Sequence, residues 1–251
     1  MNLRRWPARG LLAILIVWLP YIVSTGLQER LGQGGPLGPA LMLLALLMCW
    51  PAARLIGGRD PFALRMDRRL AILFAVSLGT GMAIQLVHWA VGAGLGLLTV
   101  ERAAGDGLTA ALLAMALLTT FVPSLAEDII TRGMPLFASR PRSLSVAALI
   151  ALSAAIYTTN HLWRFDWGIA EQVRLFAMGL AFAAVALRTR SLWPAVGLHW
   201  GGNLAAALAT SLAAISPVEV TGDRLLSALL YLLVALVFVP WRDVRREVTS
   251  S

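Results

Sequence analysis

The chain has 251 residues, 59% of them hydrophobic and 14% charged, whereas soluble domains carry about 25% charge and about 45–50% apolar residues; this excludes an ordinary soluble domain and points to a polytopic membrane protein. The net charge of +8 comes entirely from arginine, scattered between apolar segments rather than gathered in a basic arm, which argues against a nucleic-acid partner. The single cysteine, Cys49, excludes an intrachain disulfide framework and a multi-cysteine metal site.

A helix crosses the ~30 Å hydrocarbon core with roughly 20 apolar residues. In chain order this predicts spans near 11–27, 37–57, 70–98, 108–133, 143–161, 169–188, 191–214 and 224–240. The first is preceded by the basic flank of a signal peptide, but no clean small-x-small site follows its apolar run, so it reads as an uncleaved span. The third holds Gly79, Gly81, Gly92, Gly94 and Gly96 and is expected to tilt or break. The tail W-R-D-V-R-R-E-V-T-S-S reads as a membrane-edge anchor with a frayed end. The predicted fold class is therefore all-α, a polytopic transmembrane helical bundle of about eight spans forming one integral membrane domain over 1–251. Within it, 1–105 hold N-terminal spans without recognised motifs, 106–214 a catalytic-motif core, and 215–251 the last span and tail. Cytoplasmic connections are enriched in basic residues. Sixteen of the 21 arginines fall at the termini and in every second connection, which predicts that both termini are cytoplasmic. The bilayer is thus an expected partner, and a bacterial inner (plasma) membrane the expected location.

Ionisable residues inside spans are rare and mark functional sites by default. Four places carry them: A-E-D-I-I-T-R-G with Glu127, Asp128 and Arg132; Y-T-T-N-H with Tyr157 and His161; G-L-H-W-G-G-N with His199 and Asn203; and Q-L-V-H-W-A with His88. Each has a structural alternative. Asp128 and Arg132, four apart, can be a helix-end ion pair. His161 can be an interfacial histidine beside Trp163. Gly197 and Gly201 flank His199 as a helix-packing seam. His88, one turn from Gln85, can be packed or snorkelling.

Depth brings three of the four together. In the predicted topology Glu127 sits about 15 Å above the cytoplasmic end of its helix, His161 about 27 Å and His199 about 12 Å from the starts of theirs. Side chains lean toward their own N-termini, so Glu127 and His161 approach one another from opposite sides. A glutamate, two histidines and an asparagine form a chemical kit. A desolvated carboxylate can take a proton from water, a histidine can relay one, and asparagine and histidine can stabilise an oxyanion. Glu127, His161 and His199 could equally ligate zinc. Spacing does not choose between these, although H-E-x-x-H and G-x-S-x-G are both absent.

Taken in order, the motifs resemble those of the CAAX protease and bacteriocin-processing (CPBP) family, which includes the type II CAAX prenyl endopeptidases. E-D-I-I-T-R resembles its E-E-x-x-x-R motif, Y-T-T-N-H its F-x-x-x-H motif, and the block ending H-W-G-G-N its H-x-x-x-N motif; the resemblance covers about 120–205. It implies an intramembrane endopeptidase acting on a membrane-associated peptide or protein. Glu127 would activate water, Arg132 would orient the acidic pair, and His161, His199 and Asn203 would polarise the carbonyl or bind the oxyanion. Asp128 replaces the second Glu and Tyr157 the Phe, which leaves every catalytic group in place. Members are often labelled metalloproteases; a glutamate-water mechanism needs no cofactor and is the favoured expectation, with zinc the alternative. Other readings are a non-proteolytic protein of the same fold, such as a bacteriocin self-immunity factor or scaffold, and a transporter, which would more typically show repeats or paired broken helices.

Overall fold

The computed structural model describes residues 6–31, 37–102, 109–138 and 144–240; the predicted C-terminal anchor, 241–251, lies outside them. Eight helices stand where the apolar runs predict spans: α1 (Trp6–Leu31), α2 (Leu37–Ile56), α3 (Arg68–Gly94), α4 (Ala110–Asp128), α5 (Val146–Thr159), α6 (Ile169–Thr189), α7 (Trp193–Leu212) and α8 (Val220–Phe238). Helix is the expected solution, because in lipid each backbone polar group must find its partner within the segment. Polar side chains set the starts: Asp67, Thr109 and Ser145 each accept the backbone N–H three residues on, and Glu219 caps α8.

Among the described residues, six of the helices are long and apolar enough to cross a membrane by themselves. α5, at 14 residues, rises only about 21 Å, and α7 is diluted by Trp, His, Gly and Asn. Both are instead packed inside the bundle. Three boundaries differ from the sequence reading. The third span ends at Gly94 and, despite its glycines, runs unbroken. Residues just beyond α3 and α7 form a ribbon, β1 (Leu98–Arg102) antiparallel to β2 (Ala213–Pro217), with Leu98 opposite Pro217 and Arg102 opposite Ala213. The fifth span stops at Thr159, so His161 lies in the turn beyond it rather than on the helix.

α4 continues past Asp128 into a wide π-helical stretch, Ile129–Ala138, which gives the 29-residue segment Ala110–Ala138. Such stretches are rare and frequently found at functional sites. Here Thr131 folds its hydroxyl onto the Glu127 carbonyl and Ser153 of α5 donates to the Thr131 carbonyl, both at 2.7 Å.

Helix pairing gives the bundle two faces. The ribbon joins the ends of α3 and α7, and Val218 and Glu219, at the start of α8, donate their N–H groups to the Leu97 carbonyl. Arg224 of α8 reaches the carbonyl of Trp167, in the short 3-10 turn Leu162–Trp167 between α5 and α6. These ends therefore share one side, the ribbon face. On the opposite face the α2–α3 connection docks on the α6–α7 turn, where Leu192 N–H and the Trp193 indole donate to the carbonyls of Ala63 and Leu64.

α7 is held by α3 along the G-x-x-x-G seam. A Cβ at Gly197 would lie 2.6 Å from the Phe74 carbonyl oxygen, one at Gly201 would strike the Leu78 carbonyl, and one at Gly81 the Leu198 carbonyl. Glycine allows this backbone approach, and it turns His199 and Asn203 toward α4 and α6. One apolar core gathers α5, α6 and α8 around Phe182 and Tyr157, and a second gathers α1, α2 and the π-helical stretch around Tyr21 and Ile129. The polar residues lie at the seam between them.

Candidate active site

Glu127, Tyr157, His161, His199 and Asn203 line one cavity of about 210 Å³. Glu127 lies at its centre, 6% exposed. One carboxylate oxygen is 3.7 Å from His161 Nδ1 and the other 3.7 Å from His199 Nε2. Oε1 has no hydrogen-bond partner among the described residues, an expensive condition for a buried carboxylate.

Asp128 and Arg132 lie below the cavity, both fully buried. They form the predicted i,i+4 ion pair through Asp128 Oδ1. The second oxygen has a use that the sequence did not disclose: Oδ2 lies 3.3 Å from His199 Nδ1. The carboxylate thereby holds a proton on Nδ1 and aims Nε2 at Glu127. Two edge-to-face rings flank the guanidinium, with its carbon 4.8 Å from the centroids of Tyr157 and Phe182. Phe182 also stacks on His199 at 4.9 Å. Tyr157 thus serves as a wall for the cation, for His161 and for His199.

His161 Nδ1 donates to the Tyr157 carbonyl at 2.9 Å, so Nε2 is the nitrogen free to change protonation. Asn203 donates from Nδ2 to Ser124 Oγ at 3.0 Å, one turn above Glu127 on α4, which keeps a second amide hydrogen for a ligand. His88 is elsewhere: its Nε2 meets the carboxylate and carbonyl of Asp223 on α8 at 3.0 and 3.1 Å, and it does not line the cavity.

For the alternative zinc site, His161 Nδ1, the nitrogen nearest Glu127, gives its hydrogen to the Tyr157 carbonyl, so His161 would have to bind a cation through Nε2. Among the described residues, no three His, Cys, Asp or Glu side chains are grouped to hold one ion.

Several site residues were not foreseen. Tyr21 of α1, 2% exposed, lines the cavity with Glu127. Trp18 donates its indole N–H to Asn160 Oδ1 at 3.0 Å, fixing the residue before His161. Glu171, 1% exposed, accepts from Arg174 Nε at 2.8 Å and has Arg224 at 3.3 Å and Arg164 at 3.9 Å. A polar residue in an apolar run was the available signal for Tyr21, and i,i+3 spacing was available for Glu171 with Arg174 on α6, but Trp18 for Asn160 and Arg224 for Glu171 are on other helices.

The cavity has a direction. Its inner end is formed by Glu127, Tyr157 and His199, and beyond Glu127 the stretch Ile129–Leu136 is buried and does not line it. Its walls rise through Thr25 and Gln28 near the end of α1, Trp163 and Arg164 after α5, and Arg174 in the first turns of α6. Those are the ribbon-face ends of their helices, and the residues there are half-buried, so the cavity opens toward the ribbon face.

Residues 109–205, from the cap of α4 into α7, match the family model described as type II CAAX prenyl endopeptidase Rce1-like. No curated protein and no solved structure matches the chain. The matched segment contains all the motif residues, while Tyr21 and Trp18 lie outside it.

Proposed function

We propose that this multi-pass membrane protein, with its Rce1-like segment, is an intramembrane endopeptidase that cuts a membrane-associated peptide or protein by glutamate-activated water. The observation that carries the reading is the Glu127 carboxylate, buried, facing two histidines, with one oxygen unsatisfied inside a cavity. That oxygen takes a proton from a water as the water oxygen attacks the scissile carbonyl carbon. The carbonyl π electrons move to oxygen, and Asn203 and the histidines stabilise the oxyanion. As the tetrahedral intermediate collapses and the C–N bond breaks, Glu127 returns its proton to the leaving nitrogen. Asp128 fixes the His199 tautomer, Arg132 neutralises Asp128, and the glycine seam holds His199 and Asn203 at their depth. The metal-free mechanism is part of the proposal, as is a bacterial inner-membrane location.

The test is Glu127→Gln in purified protein, with a peptide library or a host membrane proteome as substrate. Loss of a positioned general base costs about 10²–10⁴-fold; the variant should fold normally and fail to cleave. Cleavage at the wild-type rate without the carboxylate would end the proposal.

A further inference from the structure

We infer that the cavity opens on the non-cytoplasmic side of the membrane, so that the substrate is a membrane-anchored segment presented after translocation. This rests on the proteolytic reading for the word substrate, and on geometry and charge for the direction.

Two independent observations meet. The first is the direction of the opening. From Glu127, Tyr157 and His199 the cavity runs to Gln28, Trp163, Arg164 and Arg174, while on the other side of Glu127 the stretch Ile129–Leu136 is buried. Trp163 stands against Gly26 near the end of α1, and Arg224 ties Trp167 and Glu171 to the start of α8. The opening thus belongs to the ribbon face, at the C-terminal ends of α1 and α5 and the N-terminal ends of α6 and α8.

The second is the distribution of cations. Among the described residues, the opposite face holds five arginines from Arg54 to Arg69 along the α2–α3 connection, with Arg9 and the pair Arg188 and Arg190. The ribbon face holds Arg30 at the end of α1, Arg102, Arg164, Arg174 and Arg224. The last three surround the buried Glu171, so they are part of a packed ion cluster rather than of a basic loop. Basic connections are retained in the cytoplasm. The asymmetry, strong by sequence position, becomes stronger once the Glu171 cluster is set aside, and it still stands with the buried Arg132 removed from the other side. A cytoplasmic opening would require the basic connection Arg54–Arg69 to be translocated.

Single cysteines in a Cys49→Ser background read the orientation. Phe165→Cys lies at the mouth, where Phe165 is 53% exposed; Arg59→Cys lies on the opposite face. Expressed in a bacterial inner membrane, Phe165→Cys should react with a membrane-impermeant maleimide once the outer barrier is opened, and Arg59→Cys only after the inner membrane is permeabilised. The reverse pattern, or equal labelling of both, overturns the inference. Reporters fused after Ser251 give an independent reading: alkaline phosphatase should be inactive there and a cytoplasm-dependent fluorescent protein active. Finally, two otherwise identical anchored reporters should present one cleavable segment on either side, and only the translocated segment should be cut, dependent on Glu127. Cutting of the cytoplasmic one alone overturns the inference. If neither is cut while the labelling is as expected, the proteolytic reading fails and the orientation stands.

Discussion

Asp128→Asn probes the part of the site that carries the most charge in the least space. Asp128 spends one oxygen on Arg132 and the other on His199 Nδ1, with all three side chains at most 3% exposed. Asparagine offers one acceptor oxygen and an NH₂ group, so either Arg132 or His199 is left facing a donor. Arg132 Nε and Nη2 already lack partners among the described residues, and the variant would leave its charge uncompensated. Breaking a buried pair costs about 3–5 kcal/mol; with one acceptor kept, the lower end applies, about 3 kcal/mol. For a chain this long that is a fall in Tm of about 6–12 °C, measurable by thermal unfolding in detergent micelles. Turnover, read well below the lowered Tm, should fall about 10²-fold, the scale of a misplaced catalytic group. Asp128→Glu should retain most of both, since the charge and the two acceptor oxygens remain. An Asn variant within about 1 kcal/mol of wild type and with undiminished turnover would refute the claim that this carboxylate organises the site.

Tyr21→Phe removes a buried hydroxyl from the wall of the cavity that holds Glu127; kcat should drop roughly tenfold, about 1.4 kcal/mol of lost polar stabilisation, with KM unchanged, in steady-state assays. Gly201→Leu drives a side chain into the Leu78 carbonyl and should cost at least about 1–3 kcal/mol of stability, whereas Gly94→Ala, with nothing within 4 Å of the added carbon, should be neutral in the same unfolding assay. His88→Ala should lower the melting temperature by breaking the Asp223 contact while leaving kcat/KM intact. Prolonged chelation followed by metal analysis should find cleavage preserved and zinc below stoichiometric; activity lost on chelation and restored by zinc would refute the metal-free mechanism.

What the sequence disclosed was local. Apolar runs located eight helices, and i,i+4 spacing paired Asp128 with Arg132 and faced His199 with Asn203, because helical periodicity alone decides such neighbours. Contacts between distant segments were closed to it. Asp128 meets His199 across 71 positions, and Trp18 meets Asn160 across 142. The ribbon was hidden because L-T-V-E-R and A-A-I-S-P are too short to signal strands without one another. Arg164 and Arg224 read as loop charges because their link to Glu171 exists only in three dimensions, whereas Arg174 is its i,i+3 neighbour on α6. His161 was placed on a helix that in fact stops two residues earlier.

The α3–α7 seam bears on modularity. Every motif that marks the chain lies within 109–205, yet the backbone against which Gly197 and Gly201 rest belongs to α3, and Tyr21, which lines the cavity with Glu127, belongs to α1. A fragment cut to the motif-bearing segment would carry the reactive groups without the rail that sets their depth or the wall that closes the cavity. Recombination between relatives should therefore succeed at junctions that move α1, α3 and the matched segment together, and fail at those that separate them. The heritable unit of this site is the bundle.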